Sequence, residues 1–149
     1  MTMIEFDKNF LDGLLEQAAK CPRLRQNFDL RTSAMDTSQR MLNALSPGTE
    51  VPIHRHEDTT ETVVCLCGSI DEVIYEEVVG HGGIKDSFPQ GMDAQDVVRT
   101  RQYREVQRFN LSPSKGRFGC QIPKDAWHTV EVHEPSVIFE AKDGAYKSR

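Results

Sequence analysis

From residue 32 onward the chain is cut into short pieces. Runs rich in Val, Ile, Leu and Phe alternate with "SPG", "EDTT", "CGS", "HGG", "SPSKG" and "PKDA". Glycine, proline, aspartate and serine mark turns because they supply φ-fixed or left-handed backbone, whereas β-branched and aromatic runs suit a pleated, half-buried surface. The spacing predicts strands at Gln39–Leu45, Thr49–His56, Thr62–Cys67, Ile70–Val78, Tyr103–Leu111, Arg117–Ile122, His128–Val132 and Ser136–Lys142. Eight strands in so short a stretch call for an all-β sandwich or barrel of the jelly-roll kind, which closes or protects its edges.

Before this region the period is different. Phe10, Leu11, Leu14, Leu15, Ala18 and Ala19 recur at the spacing of one helical stripe, which predicts a helix from Asp7 to about Lys20. Asp7 is placed to cap it, Phe6 and Leu11 to staple its entry, and Pro22 in "CPR" to stop it. One domain of 149 residues is therefore expected, with residues 1–31 forming the helix and a connecting arm packed on a barrel of residues 32–149. The Gly80–Gln102 stretch breaks the strand pattern and is read as an insertion at about 80–102, serving as a lid, a contact surface or a tolerated excursion.

Composition narrows the partners. The net charge is −5 and the basic residues are scattered, so nucleic acid is not expected as a partner. The opening "MTMIEFDKNF" has acids where a signal peptide would be basic and apolar, and no run of about 18 apolar residues occurs, so no membrane partner and a cytoplasmic location are expected. The four cysteines, Cys21, Cys65, Cys67 and Cys120, lack CxxC spacing and are read as reduced thiols. Cys65 and Cys67, two apart in one strand, are expected on the same face.

The segment "GTEVPIHRHEDTTETVVCLCG" (Gly48–Gly68) carries the chemistry. Alternate strand residues share a face, so His54 and His56 point the same way, with Cα atoms about 6.6 Å apart, and both rings can lean onto one ion. The "EDTT" turn then returns Glu61 alongside them as a carboxylate ligand. An HxH pair alone is common on exposed strands. Here Gly48, His54, His56, Glu61 and Gly68 also stand at the spacings of the first signature of the cupin superfamily, which the sequence therefore resembles at every position. The second signature is matched in part by "IPKDAWHTVEV": Pro123 and His128 are present, Asp125 stands where the family has glycine, and Val132 where it has asparagine. Aspartate tolerates a left-handed backbone, so the turn is expected to survive.

The resemblance implies a cupin jelly-roll (double-stranded β-helix) barrel and a divalent ion on His54, His56, Glu61 and His128. Zinc or iron comes first, with manganese and nickel as alternatives. Such a set leaves one or two positions open for water or substrate. Within the superfamily, "LLEQAAKCPRLRQNFDLR", "QRMLNALSPGTEVPIHRH", "IPKDAWHTV" and "FEAKDGAY" resemble the WbuC-type cupin fold metalloproteins, although proline is usual in that family where Ala145 stands. That likeness implies a carbohydrate-derived small molecule in surface polysaccharide metabolism, bound or acted on by isomerisation, epimerisation or a dioxygenase-type reaction. The alternative is a non-catalytic ligand-binding or sensing module with a structural metal. Arg40, Trp127, Glu140 and Lys142 are the candidate ligand contacts, with Asn27 and Tyr146 as pocket walls or packing. A homodimer is expected as well. No general base is evident once the histidines and Glu61 are assigned to the ion.

Overall fold

The structure is a computed structural model in which residues 3–78 and 102–144 are described. The expected insertion falls almost wholly outside them. A helix, α1 (Lys8–Lys20), is followed by six strands: β1 (Arg25–Asp29), β2 (Ser38–Leu45), β3 (Glu61–Val78), β4 (Gln102–Leu111), β5 (Gly119–Ile122) and β6 (Trp127–Asp143). They pair in the order β1-β2-β6-β3-β4, with β5 on β3, and every pairing is antiparallel. This is the expected all-β jelly roll with one N-terminal helix.

The helix is built as its sequence implies. Asp7 Oδ1 accepts from Phe10 N at 2.8 Å, satisfying one of the first-turn amides. Phe6 staples to Phe10 rather than to Leu11, their ring centroids lying 5.8 Å apart. Leu14 and Ala18 are buried with Leu42, Ala44 and Val137 in a cluster that also takes in Phe28 and Phe139, so the helix covers one side of the sheet. A second cluster fills the barrel, among it Leu45, Val63, Ile70, Leu111, Val130 and Ile138.

Five of the eight expected strands differ from what is found. Thr62–Cys67 and Ile70–Val78 are halves of one strand, β3, as His128–Val132 and Ser136–Lys142 are of β6. Between Cys65 and Ile70 the register of β3 against β6 slips repeatedly. Extra residues in one partner reverse the side-chain phase, and so Cys65 packs in the barrel cluster while Cys67 packs on the helix side; they do not share a face. Thr49–His56 is not a strand. Pro52 has no N–H to give a ladder, and the segment makes one isolated bridge, at His54. Strand β1 was not anticipated at all.

The four cysteines are free. Burial pushes the Cys65 thiol up to about 11 and the Cys120 thiol up to about 12, so both are protonated at neutral pH.

Backbone strain collects at the signature positions. Gly48 and Gly68 have φ of +93° and +89°, and Asp125 takes φ 68°, the left-handed turn that the sequence requires of it. A Cβ at Gly68 would lie 2.2 Å from Ser136 Oγ and 2.4 Å from the Pro135 carbonyl, whereas one at Gly116, also left-handed, would meet nothing within 4 Å. Gly68→Ala is therefore expected to cost about 2 kcal/mol or more in urea unfolding, and Gly116→Ala about 1 kcal/mol, the backbone strain alone. Equal losses at the two sites would contradict the packing described.

Candidate metal centre

Backbone pairing brings the histidines together. His54 N donates to His128 O at 3.0 Å, and His128 N donates to His54 O at 2.8 Å, so the two residues stand directly opposite each other. One step on, Asp125 N donates to His56 O at 2.8 Å, which fixes the second histidine against the turn that leads into β6. The ring centroids lie 4.3 Å (His54–His128), 5.1 Å (His54–His56) and 5.4 Å (His56–His128) apart. One ligand nitrogen from each ring lies within 4.8 Å of the other two. Small ring rotations would close that triangle on an ion with bonds of about 2.0–2.1 Å.

The tautomers fit a metal as well. His54 Nδ1 is 2.8 Å from Pro52 O and His128 Nδ1 is 2.9 Å from Ala126 O. A carbonyl oxygen only accepts, so each Nδ1 carries the proton and each Nε2 presents a lone pair. His56 is held differently: its Nδ1 faces the Lys142 ammonium at 3.2 Å, and its Nε2 lies 2.9 Å from Glu61. That second contact is close but lacks hydrogen-bond alignment, leaving a buried Nε2 unsatisfied. The Lys142 ammonium only donates, so His56 Nδ1 accepts and the neutral ring carries its proton on Nε2, beside the Glu61 carboxylate; that proton has to leave before Nε2 can hold an ion.

Glu61 is buried beside this group, and it belongs to it through His56 rather than as a member of the three-nitrogen triangle. Burial alone would raise its carboxyl, but the His56 contact and the charges of His128, His56 and Lys142 hold it below the usual range. It stays ionised.

His54 and His128 sit in the wall of a cavity of about 660 Å³, which also takes in Glu61, Glu72, Glu140 and Lys142. Of the candidate ligand contacts, Glu140 and Lys142 line it; Glu140 accepts from Asn43 Nδ2 at 3.3 Å. Arg40 lines it too, with its guanidinium on Asp36 at 2.6 Å. Trp127 is not in the wall. Its phase is opposite to that of His128, and its ring packs on Tyr103 at 5.1 Å with the Arg55 guanidinium 4.6 Å from its centroid. Asn27 lines the cavity, while Tyr146 lies outside the described residues. His133 pairs instead with Asp71, at 3.1 Å.

Two groups escaped the sequence reading. The first is Arg23, Arg25 and Arg31, which line the cavity from β1 and its flanks. The alternation in "RLRQNFDLR" was the available signal. The second is Glu72, only 3% exposed, in the same wall. Its burial, then the charges of Glu140 and Glu61, push its carboxyl well above the usual range and favour its protonated form, and Oε2 has no hydrogen-bond partner. An acid between Ile70 and Ile74, on the interior phase of a strand, was the clue.

Residues 6–85 match the family described as a domain of unknown function (DUF6016); the match spans more than half of the chain, and the chain belongs to that family. No curated protein matches it in sequence. Among solved structures it is similar to KdgF from Halomonas sp., at 14% identity and a TM-score of 0.50 over 85% of this chain and 84% of that one. It is also similar to oxalate oxidase in complex with the substrate analogue glycolate, at 12% identity and 0.51, and to ycfD of E. coli, at 14% and 0.50. The chain spans 56% of the oxalate oxidase and 32% of ycfD. At these identities the likeness carries the fold, and the fold is the cupin jelly roll. No helix among the described residues is long and apolar enough to cross a membrane.

A neutral Glu72 gives a signed pH dependence. The unfolded chain releases this proton near the ordinary 4.5 while the folded chain keeps it, so stability falls as pH rises from there toward the folded value. In chelator-treated protein, Glu72→Gln is expected to be more stable than the parent at about pH 8, with the gap closing at about pH 4. A gap that widens on acidification would reverse the assignment.

Proposed function

We propose that this member of the DUF6016 family is a metal-binding cupin of the WbuC type. One divalent ion, zinc or iron, is held by His54, His56 and His128, with Glu61 as carboxylate ligand or as the acceptor that orients His56. The observation that carries the reading is the pair of carbonyl-locked tautomers at His54 and His128, meeting the unsatisfied His56 Nε2 within 4.8 Å. Imidazole and carboxylate donors of this kind suit zinc, iron, manganese and nickel alike. When bound, the ion would serve as a Lewis acid or as the anchor for a bidentate oxygen ligand.

The cavity beside it suits a carbohydrate-derived small molecule in surface polysaccharide metabolism, handled by a cytoplasmic homodimer. What the chain's own residues supply is positioning. Lys142 and Glu140 present a cation and an anion on one face of β6, and Glu72 offers a neutral acid in the same wall. A carboxyl kept protonated in an apolar site can hand a proton to a ligand oxygen.

A second reading, a binding or sensing module without turnover, is favoured by one specific fact. Three carboxyls of the cavity wall have other engagements: Glu61 lies 2.9 Å from His56 Nε2, burial favours the protonated form of Glu72, and Glu140 accepts from Asn43 Nδ2.

Elemental analysis of protein purified without a histidine tag tests the reading directly. About one divalent ion per chain is expected, and His56→Ala is expected to lose about tenfold or more in metal affinity. Unchanged metal content in that variant would overturn the assignment. Solvent proton uptake or isotope incorporation in candidate sugars then separates turnover from binding.

A further inference from the structure

One acid stands where the barrel would pack an apolar residue. Glu72 lies on the interior phase of β3 between Ile70 and Ile74, and the ladder sets it opposite Val130 of β6 and Phe109 of β4. It is 3% exposed and lines the cavity, and its Oε2 has no hydrogen-bond partner among the described residues. A valine would fill such a position without loss, whereas a carboxyl turned inside gives up water and recovers that loss only through a partner. The protein supplies none. The group that completes Glu72 therefore enters from the cavity.

A second atom in the same wall is unmatched. Asn43 lines the cavity from β2, and its Nδ2 donates to Glu140 Oε1 at 3.3 Å. A carboxylate oxygen accepts, so this contact fixes which end of the amide is nitrogen and leaves Asn43 Oδ1 buried without a donor. Burial first, and then the charge of Glu140 ahead of that of Glu61, favour the protonated form of Glu72. Glu140 thus acts on both groups, holding Asn43 by a hydrogen bond and Glu72 by its field.

A protonated carboxyl donates and an amide carbonyl accepts. One hydroxyl satisfies both, because it accepts through a lone pair and donates through its proton. A ligand carboxylate has no proton to give Asn43, and beside Glu72 it would meet the charges of Glu140 and Glu61. A ligand ammonium has only donors and leaves the Glu72 proton without an acceptor. The pair therefore selects a neutral, hydroxylated molecule, and the cavity of about 660 Å³ lies within the roughly 300–1,000 Å³ of small-molecule sites.

We propose that Glu72 and Asn43 form a hydroxyl-reading subsite, in which the Glu72 carboxyl donates to one hydroxyl of a neutral sugar and the Asn43 carbonyl accepts from the same hydroxyl. The assignment rests on the carbohydrate part of the function proposed above and is independent of the metal part.

The test titrates the full chain, with its metal content measured, against glucose, galactose and mannose and against singly deoxygenated forms of each. Saturable binding of at least one hexose is expected, with one of its deoxy forms bound about tenfold or more weakly. In Glu72→Leu the hexose is expected to fall to the level of that deoxy form, whereas Glu72→Gln, whose amide still donates, stays closer to the parent. Asn43→Ala is expected to lower hexose affinity by about tenfold. Urea unfolding without sugar supplies a reading that needs no ligand: Glu72→Leu is expected to raise the midpoint, because it removes a buried polar group that the protein leaves unmatched. Four results would each overturn the subsite alone: deoxy discrimination that survives Glu72→Leu, a Glu72→Gln variant as weak as Glu72→Leu, full binding by Asn43→Ala, or a lowered urea midpoint in Glu72→Leu. Tighter binding of glucosamine than of glucose would overturn it in favour of a ligand ammonium. Absence of hexose binding by the parent would overturn the carbohydrate reading and the subsite with it, while hexose binding by a parent chain that takes up no divalent ion would overturn the metal reading only.

Discussion

The antiparallel pairing of β3 with β6 is the constraint on which the remaining geometry depends. It sets Glu61 opposite Lys142, Glu72 opposite Val130 and Ile74 opposite His128. Both strands also carry the outer layers: β2 attaches to the second half of β6, while β5 and β4 attach to the first and second halves of β3. A slip of this register by one residue would send the acids of β3 and the histidine of β6 to opposite sides of the sheet. The short His54–His128 bridge works only because β6 is already placed.

Within the barrel, two buried carboxyls differ in charge although they share one cavity. Glu61 has cations and imidazoles around it and keeps its charge; Glu72 has apolar neighbours and two other acids, and gives its charge up. Burial acts in the same direction on both. The partner set decides, which is how one interior can hold a fixed anion and a neutral proton donor at once.

Much of this was legible in the residues. The helix, its cap at Asp7 and its end at Cys21 follow from local periodicity and capping chemistry, which involve neighbours within one turn. His54, His56 and His128 could be grouped from the two signature spacings, although the strand expected to carry His54 and His56 is a single bridge at His54. What escaped has a common cause, dependence on contacts distant in sequence. Strand β1 holds its register only by pairing with β2, and five residues of which four are polar or charged have no strand signal of their own. The separation of Cys65 from Cys67 comes from slips against β6 that no local pattern in "VVCLCGS" announces. Trp127 is next to His128 in the chain but not in the cavity wall, because adjacent residues of a strand face opposite ways.

The slips between Cys65 and Ile70 reach further than the two thiols. Before them, odd-numbered residues of β3 face the barrel interior, as Val63 and Cys65 do; after them, even-numbered residues do, as Ile70 and Glu72 do. The strand is thus a single span with two opposite reading frames of side chains, joined at Gly68. Removing one residue from that junction would restore one frame, and would turn Glu72 away from the cavity while Glu61, ahead of the junction, stays in its wall.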